Sequence, residues 1–274
     1  MSKQMNNQQS TDTTQVANMK HVYFTAFKSI LIKEITRFTR IWVQTLVPPA
    51  ISMTLYFLIF GNLVGKRIGE MGGVSYMEFI APGLIMMAVI TASYSNVASS
   101  FFSAKFQRNL EELIVAPVPH YVMIAGYVGG GVARGLCVGT IVTLVAMFFV
   151  DISLHHAGLV AITVLLTAIL FALGGLINAV FAKSYDDISI VPTFVLTPLT
   201  YLGGVFYSLS LLPDFWQGVS QLNPVVYMIN VFRYGFLGYA DISIPLSIAI
   251  MVGFCSVLWA VAYYLISRGI GLRS

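Results

Sequence analysis

Charge is what this chain has least of: 9% of its 274 residues are Asp, Glu, Lys or Arg, against roughly 25% in soluble domains. With 57% hydrophobic residues and a mean hydropathy of +0.82, it has too little polar surface to coat a globule in water, and a lipid bilayer is the solvent that fits. Cysteine is nearly missing. Cys137 and Cys255 both fall in apolar runs, without the paired spacing of a disulfide framework or a metal site. Acids are missing from the apolar runs themselves, which removes the usual sign of ion-coupled transport. The opening MSKQMNNQQSTDTTQVAN lacks the apolar core of a cleavable signal, and a disordered polar tail is expected over 1–19.

What is present in quantity is long apolar sequence. Runs of about 20 residues or more, the length that crosses a bilayer core of ~30 Å, occupy 41–60, 79–102, 121–150, 157–181, 188–207 and 245–266. The fold class expected is therefore an all-α integral membrane protein with six transmembrane helices, forming one domain over 41–274. The fourth and sixth runs hold no charge; the third is long and contains Arg134; the first is interrupted by Pro48-Pro49, a break that membrane helices tolerate. Arg134 is expected to snorkel to headgroups from an over-long span.

Orientation follows from Lys and Arg. With the N-terminus inside, Lys3, Lys20, Lys28, Lys33, Arg37, Arg40, Lys105, Arg108, Lys183, Arg268 and Arg273 are cytoplasmic, and only Lys66, Arg67 and Arg233 are outside. Both termini then face the cytoplasm. The pI of about 9.0 places basic groups beside lipid and favours anionic headgroups over nucleic acid as partner.

The segment GNLVGKR, 61–67, imitates a phosphate-binding loop but has the wrong glycine spacing and Arg67 where Ser or Thr is needed. The triple glycine 129–131 is expected to permit close helix packing. More informative is AKFQRNLEELIVAPVPH, 104–120, on the cytoplasmic side between the second and third runs. Phe106, Leu110, Leu113, Ile114 and Pro117 share one helix face, Arg108, Asn109, Glu111 and Glu112 lie off it, and Pro117 and Pro119 end the helix. A charged helix implies a docking partner; the alternative, an interfacial helix on anionic headgroups, suits Glu111 and Glu112 poorly. Ahead of the first run, residues 20–40 form an amphipathic interfacial helix with an apolar stripe of Phe24, Phe27, Leu31, Ile35 and Phe38, opposite Lys33, Arg37 and Arg40.

Polar stripes recur inside the runs: Gln44, Ser52 and Tyr56; Thr91, Ser95 and Ser99 with Tyr94; Thr193, Thr197 and Tyr201. Such stripes mark either helix contacts or a path. The connection LLPDFWQGVSQLNPVVYMINVFRYGFLGYA, 211–240, is too apolar for a free loop and too broken by proline for a span, and short re-entrant outer helices are expected. Asp186 and Asp187 are read as solvated or bonded to Lys183.

The cytoplasmic LEELIVAPV, the six runs and NPVVYMINVFRYGFLG before the last run together resemble the membrane subunit of an ABC-2 type transporter. RIWVQTLVPP, AGYVGGGVARG and DDISIVPTFVLTPLTYLGGVFYSL are similar to the YadH-type inner-membrane permeases of Gram-negative bacteria. One departure is Phe106-Gln107, where that family often carries an acidic and basic pair. The resemblance implies a homodimeric ABC exporter half in the bacterial inner membrane, without an enzyme site of its own. A separate ABC ATPase subunit would supply ATP and Mg, this chain needing no cofactor. Residues 105–113 (Lys105, Phe106, Arg108, Asn109, Leu110, Glu111, Glu112 and Leu113) would be its coupling helix. Gln44, Tyr56, Tyr94, Thr193, Thr197 and Tyr201 would line the pathway or the dimer interface. Phe215, Trp216, Tyr227 and Arg233 would form an outer gate. An ion-coupled secondary transporter, or a passive channel or scaffold, is the alternative class; the first lacks intramembrane acids and the second leaves the charged helix without a task.

Overall fold

The computed structural model describes residues 2–71, 73–151 and 153–272, with side chains from residue 19 onward apart from Asn62, Leu63, Val64, Lys66 and Ile114. The tail expected over 1–19 thus falls almost wholly outside the described side chains. The chain is mostly helical. Helix α1 (Ser2–Arg40) is followed, after a break at Ile41, by α2 (Trp42–Tyr56), which runs on into a π-helical stretch, Phe57–Val64. Short α3 (Gly65–Ile68) and a two-stranded antiparallel hairpin, β1 (Glu70–Met71) with β2 (Val74–Ser75), precede the longest buried helix, α4 (Tyr76–Phe106). Its start is fixed by a capping box: Glu78 N donates to Ser75 Oγ at 3.3 Å while the Glu78 carboxylate accepts from Ser75 N at 2.9 Å.

Then follow α5 (Asn109–Val115), α6 (His120–Ala146), α7 (Ala157–Phe181), α8 (Asp187–Val191), a π-helical turn (Pro192–Leu196), α9 (Thr197–Tyr201), a 3-10 turn (Leu209–Leu211), α10 (Asp214–Gln221), α11 (Pro224–Leu237) and α12 (Ile244–Ser267). Among the described residues, five stretches are long and apolar enough to cross a bilayer: Trp42–Gly61, Tyr76–Phe106, His120–Ala146, Ala157–Phe181 and Ile244–Ser267. The remaining expected span, 188–207, is not one regular helix. Pro192 and Pro198 each remove a backbone donor, the helical run 187–201 changes pitch at the π turn between them, and it ends in a turn with Gly204 at φ +79°. Conversely Pro48-Pro49 does not break α2, whose helix continues through both residues.

Small residues bring the helices together, as they do where apolar lipid supplies no force between them. The triple glycine packs three ways: Gly129 against Leu31 of α1, Gly130 against Glu34 of α1, and Gly131 against Val97 of α4 and Ala172 of α7. A side chain at Gly175 would collide with the Tyr94 carbonyl, so α4 and α7 meet backbone to backbone. Helix α11 is capped by Asn223, whose side chain accepts from Val225 N at 3.0 Å, begins on Pro224, and ends at Gly238 with φ 70°. It is buried along most of its length, while α10 lies exposed.

Candidate functional site

A groove runs between α4, the end of α2 and the 187–201 segment. Its outer part, about 300 Å³, is lined by Tyr56, Thr91, Thr193, Thr197, Thr200 and Tyr201 among others. Its inner part, about 380 Å³, is lined by Ser95, Ser99, Ser189, Thr193 and apolar neighbours. Thr91 donates to Met87 O at 2.9 Å, Ser99 to Ser95 O at 2.7 Å, Thr193 to Ser189 O at 2.9 Å and Thr197 to Pro192 O at 3.0 Å. With their protons committed to their own helices, these hydroxyls offer lone pairs: a neutral, accepting wall with an apolar floor. Tyr56 and Tyr201 approach oxygen to oxygen at 3.5 Å, and Phe206 stacks between Tyr201 at 5.6 Å and Phe60 at 5.1 Å. Phe60 and Phe206 carry no periodic signal that would have singled them out in the sequence.

Two residues expected to line the pathway or the dimer interface do not line this groove. Tyr94 is 2% exposed and packs on α7 at Gly174 and Gly175, because it points a quarter-turn or so away from Thr91 and Ser95 on the same helix. Gln44 is exposed on α2 and lines neither part of the groove.

At the inner end, α1 contributes a cluster that the sequence did not reveal. Arg37 donates from Nη1 to Ser99 Oγ at 3.4 Å and from Nη2 to both Asn96 O (2.8 Å) and Asn96 Oδ1 (2.9 Å). Glu34, with no exposed surface, accepts the Ser100 hydroxyl and lies 3.5 Å from the Arg37 guanidinium. Burial pushes the Glu34 carboxyl above the usual carboxylate range, against the opposing pull of Ser100 and Arg37. The face of α1 that is buried carries Ile30, Glu34 and Phe38, whereas Phe24 of the expected apolar stripe is exposed. The helix docks on the glycines of α6, and only a glycine at 130 leaves room for Glu34.

The charged segment is not a single rod from 105 to 113. Helix α4 ends at Phe106, Arg108 turns into the left-handed region at φ 62°, and α5 restarts at Asn109. The break separates Phe106, which is exposed, from Leu110, which is buried, so the apolar stripe does not form one face. Glu111, Glu112 and Asn109 are exposed on α5, with Leu113 half-buried behind them. Lys105 donates from Nζ to Val180 O at 2.7 Å and Ala182 O at 2.9 Å, fastening the end of α4 to the end of α7. Asp187 accepts from Lys183 N at 2.7 Å and Ser184 N at 3.0 Å, bonds that hold its carboxyl below the usual range.

The four residues expected to form an outer gate divide into two pairs. Phe215 and Trp216 stand exposed on α10, in edge contact at 5.4 Å. Tyr227 is buried and donates to Gln221 O at 2.6 Å. Arg233, 3% exposed, donates from Nη2 to Gly204 O at 2.6 Å, lies 3.9 Å from Asp241 and covers the Phe79 ring at 3.8 Å. It is a buried staple joining α11, α4 and the turn after α9, because its apolar surroundings leave the guanidinium no water to face.

Residues 25–237 match the model of the ABC-2 type transporter family. The chain is 66% identical over 256 residues to the inner membrane transport permease YadH of Escherichia coli K12, covering 93% of this chain and all of that protein, and equally to YadH of Shigella flexneri. Nodulation protein J of Rhizobium leguminosarum bv. viciae is 26% identical over 218 residues, 78% of this chain and 83% of that protein.

Proposed function

Because the chain belongs to the ABC-2 type transporter family, as a multi-pass inner-membrane transport permease and not itself an enzyme, we propose that it is one half of a homodimeric, ATP-driven exporter. The family implies a partner ATPase subunit; ATP and Mg would bind there, and α5 would be the handle it grips. The observation that carries this reading is continuity. The exposed carboxylates Glu111 and Glu112 sit on α5, two residues beyond the end of α4, and α4 itself supplies the Thr91, Ser95 and Ser99 wall of the groove. A displacement of α5 by nucleotide-driven closure is therefore delivered to the groove through one buried helix, pinned near its end by Lys105.

A sixth crossing is part of this proposal. The segment from Tyr185 to Phe206 follows α4 from end to end: Tyr185 OH lies 3.4 Å from Ser103 Oγ, and Tyr76 OH donates to Phe206 O at 3.2 Å. Its ends thus lie at the two ends of a helix that itself crosses the bilayer, which supports six spans and two cytoplasmic termini. Short α10 and α11 before the last span would be the re-entrant outer pair, and exposed Trp42, Ile51 and Leu55 of α2 with exposed Phe194 suit a second copy of the chain.

The test is Glu111→Lys with Glu112→Lys. Reversing both charges is expected to weaken co-purification with the ATPase and to abolish ATP-dependent efflux from vesicles, with the unfolding temperature of the permease unchanged. Unaltered association and flux would overturn the reading.

A further inference from the structure

We propose that the cavity at the ends of α4, α7 and α12 is a binding site for an anionic phospholipid headgroup. The cavity holds about 690 Å³, and its walls include Phe102, Lys105, Phe106, Arg108, Phe181 and Lys183, with the turn after α12 behind them. Its lining among the described residues is cationic and aromatic and contains no acid. Among the described residues no carboxylate lies in ion-pair distance of Lys105, Arg108 or Lys183. Of the two acids that follow Lys183 in the sequence, Asp187 is turned onto the backbone N–H groups of Lys183 and Ser184, and Asp186 stands exposed and lines no part of the cavity.

Each basic group is presented differently. Lys105 gives two of its three N–H bonds to the carbonyls of Val180 and Ala182 and retains one. Arg108 is held out from the helix by its left-handed backbone, the single non-glycine residue with positive φ among those described; such a conformation costs free energy and persists where the surroundings enforce it. Phe106 and Phe181 are 63% and 56% exposed beside these cations. A polar anion alone has no use for exposed phenylalanines, and an acyl chain alone has none for three cations. A phosphate that continues into acyl chains satisfies both, and basic pockets between membrane helices at the cytoplasmic face are where such headgroups bind. The carboxylates of α5 line no part of the cavity, so the acidic face offered to a protein partner and the basic face offered to lipid are distinct. The site requires only that the ends of α4 and α7 lie at the membrane boundary and is independent of the ATPase.

The experiment is native mass spectrometry of the full-length permease in mild detergent with an equal mixture of phosphatidylglycerol and phosphatidylcholine. Phosphatidylglycerol is expected to be retained roughly tenfold over phosphatidylcholine. The double variant Arg108→Gly, Lys183→Gln keeps the Lys105 bonds and suits the positive φ; its preference is expected to fall to about one with the unfolding temperature unchanged. Arg108→Lys with Lys183→Arg is expected to keep the preference, which guards against loss through misfolding. Equal retention of the two lipids by the natural chain overturns the proposal, as does an unchanged preference in the first double variant. Displacement by glycerol 3-phosphate at equal concentration would identify a soluble phosphate as the ligand and also overturn it. So would a loss of ATPase association in the first variant with lipid preference intact, which would make the basic wall a protein contact.

Discussion

Arg134 of α6 donates from Nη2 to the main-chain carbonyl oxygen of Thr45 in α2, at 3.4 Å. In a regular helix that carbonyl accepts from the N–H four residues on, and the residue there is Pro49, which has none. The one cation set deep in a long apolar run therefore stands where Pro49 leaves an acceptor bare, and it answers one of the backbone groups freed as α2 continues through Pro48 and Pro49.

Arg134 and Pro49 should accordingly be coupled. Arg134→Met is expected to lower the unfolding temperature in detergent, and Pro49→Ala, which restores the missing donor, to reduce that loss. A double-mutant cycle should return an interaction of about 0.5–3 kcal/mol; strict additivity would show that the two do not act on the same carbonyl.

Glu34 should be costly to truncate and informative to titrate. Glu34→Ala leaves Arg37 and Ser100 without their buried partner, and a loss of about 3–5 kcal/mol is expected; Glu34→Gln keeps an acceptor for Ser100 and should cost less. Since burial holds the folded carboxyl above its ordinary value of 4.5, the folded chain binds this proton more tightly than the unfolded one. Its contribution to stability is full below pH 4.5 and is lost as pH rises through the folded value. Unfolding temperatures measured against pH should fall over that window in the natural chain and fall less in Glu34→Gln.

Arg233 should behave as part of the fold. Arg233→Met leaves Gly204 O without its donor and Asp241 without the buried cation beside it, and should cost about 3 kcal/mol or more, seen as lower yield and a lower unfolding temperature. Phe215→Ala and Trp216→Ala, on exposed α10, should each stay within about 0.5 kcal/mol in stability. An unfolding temperature for Arg233→Met equal to that of the natural chain would contradict the staple.

Filling the groove should stop flux without unfolding the chain. Ser95→Leu and Thr193→Leu place bulk on facing walls of the inner cavity, and ATP-dependent efflux is expected to fall at least several-fold while association with the ATPase and the unfolding temperature hold. Tyr56→Phe removes only a long 3.5 Å contact and should change little.

Much of this molecule was legible in the one-dimensional pattern. The bilayer and five of the long spans follow from a local rule, the length of an apolar run. The hydroxyls of the groove were also visible, as Thr91, Ser95 and Ser99 on one helix and Thr193 and Thr197 on another, because spacing of three or four residues is itself a statement about one face. Glu34 was not. In the sequence it sits among Lys33 and Arg37 like any charge on a solvated face. That it is buried depends on Gly130, almost a hundred positions away, whose missing side chain leaves the space that the Glu34 Cβ and Cγ take up.

The sequence by itself determined the solvent of this protein and the helical nature of its parts, since hydrophobicity and backbone donors act over a few residues. Only the tertiary structure decided which polar groups face a groove, which are staples and which cation answers which carbonyl. Those outcomes depend on what a neighbouring helix brings within about 3 Å, a distance that no spacing along one chain encodes.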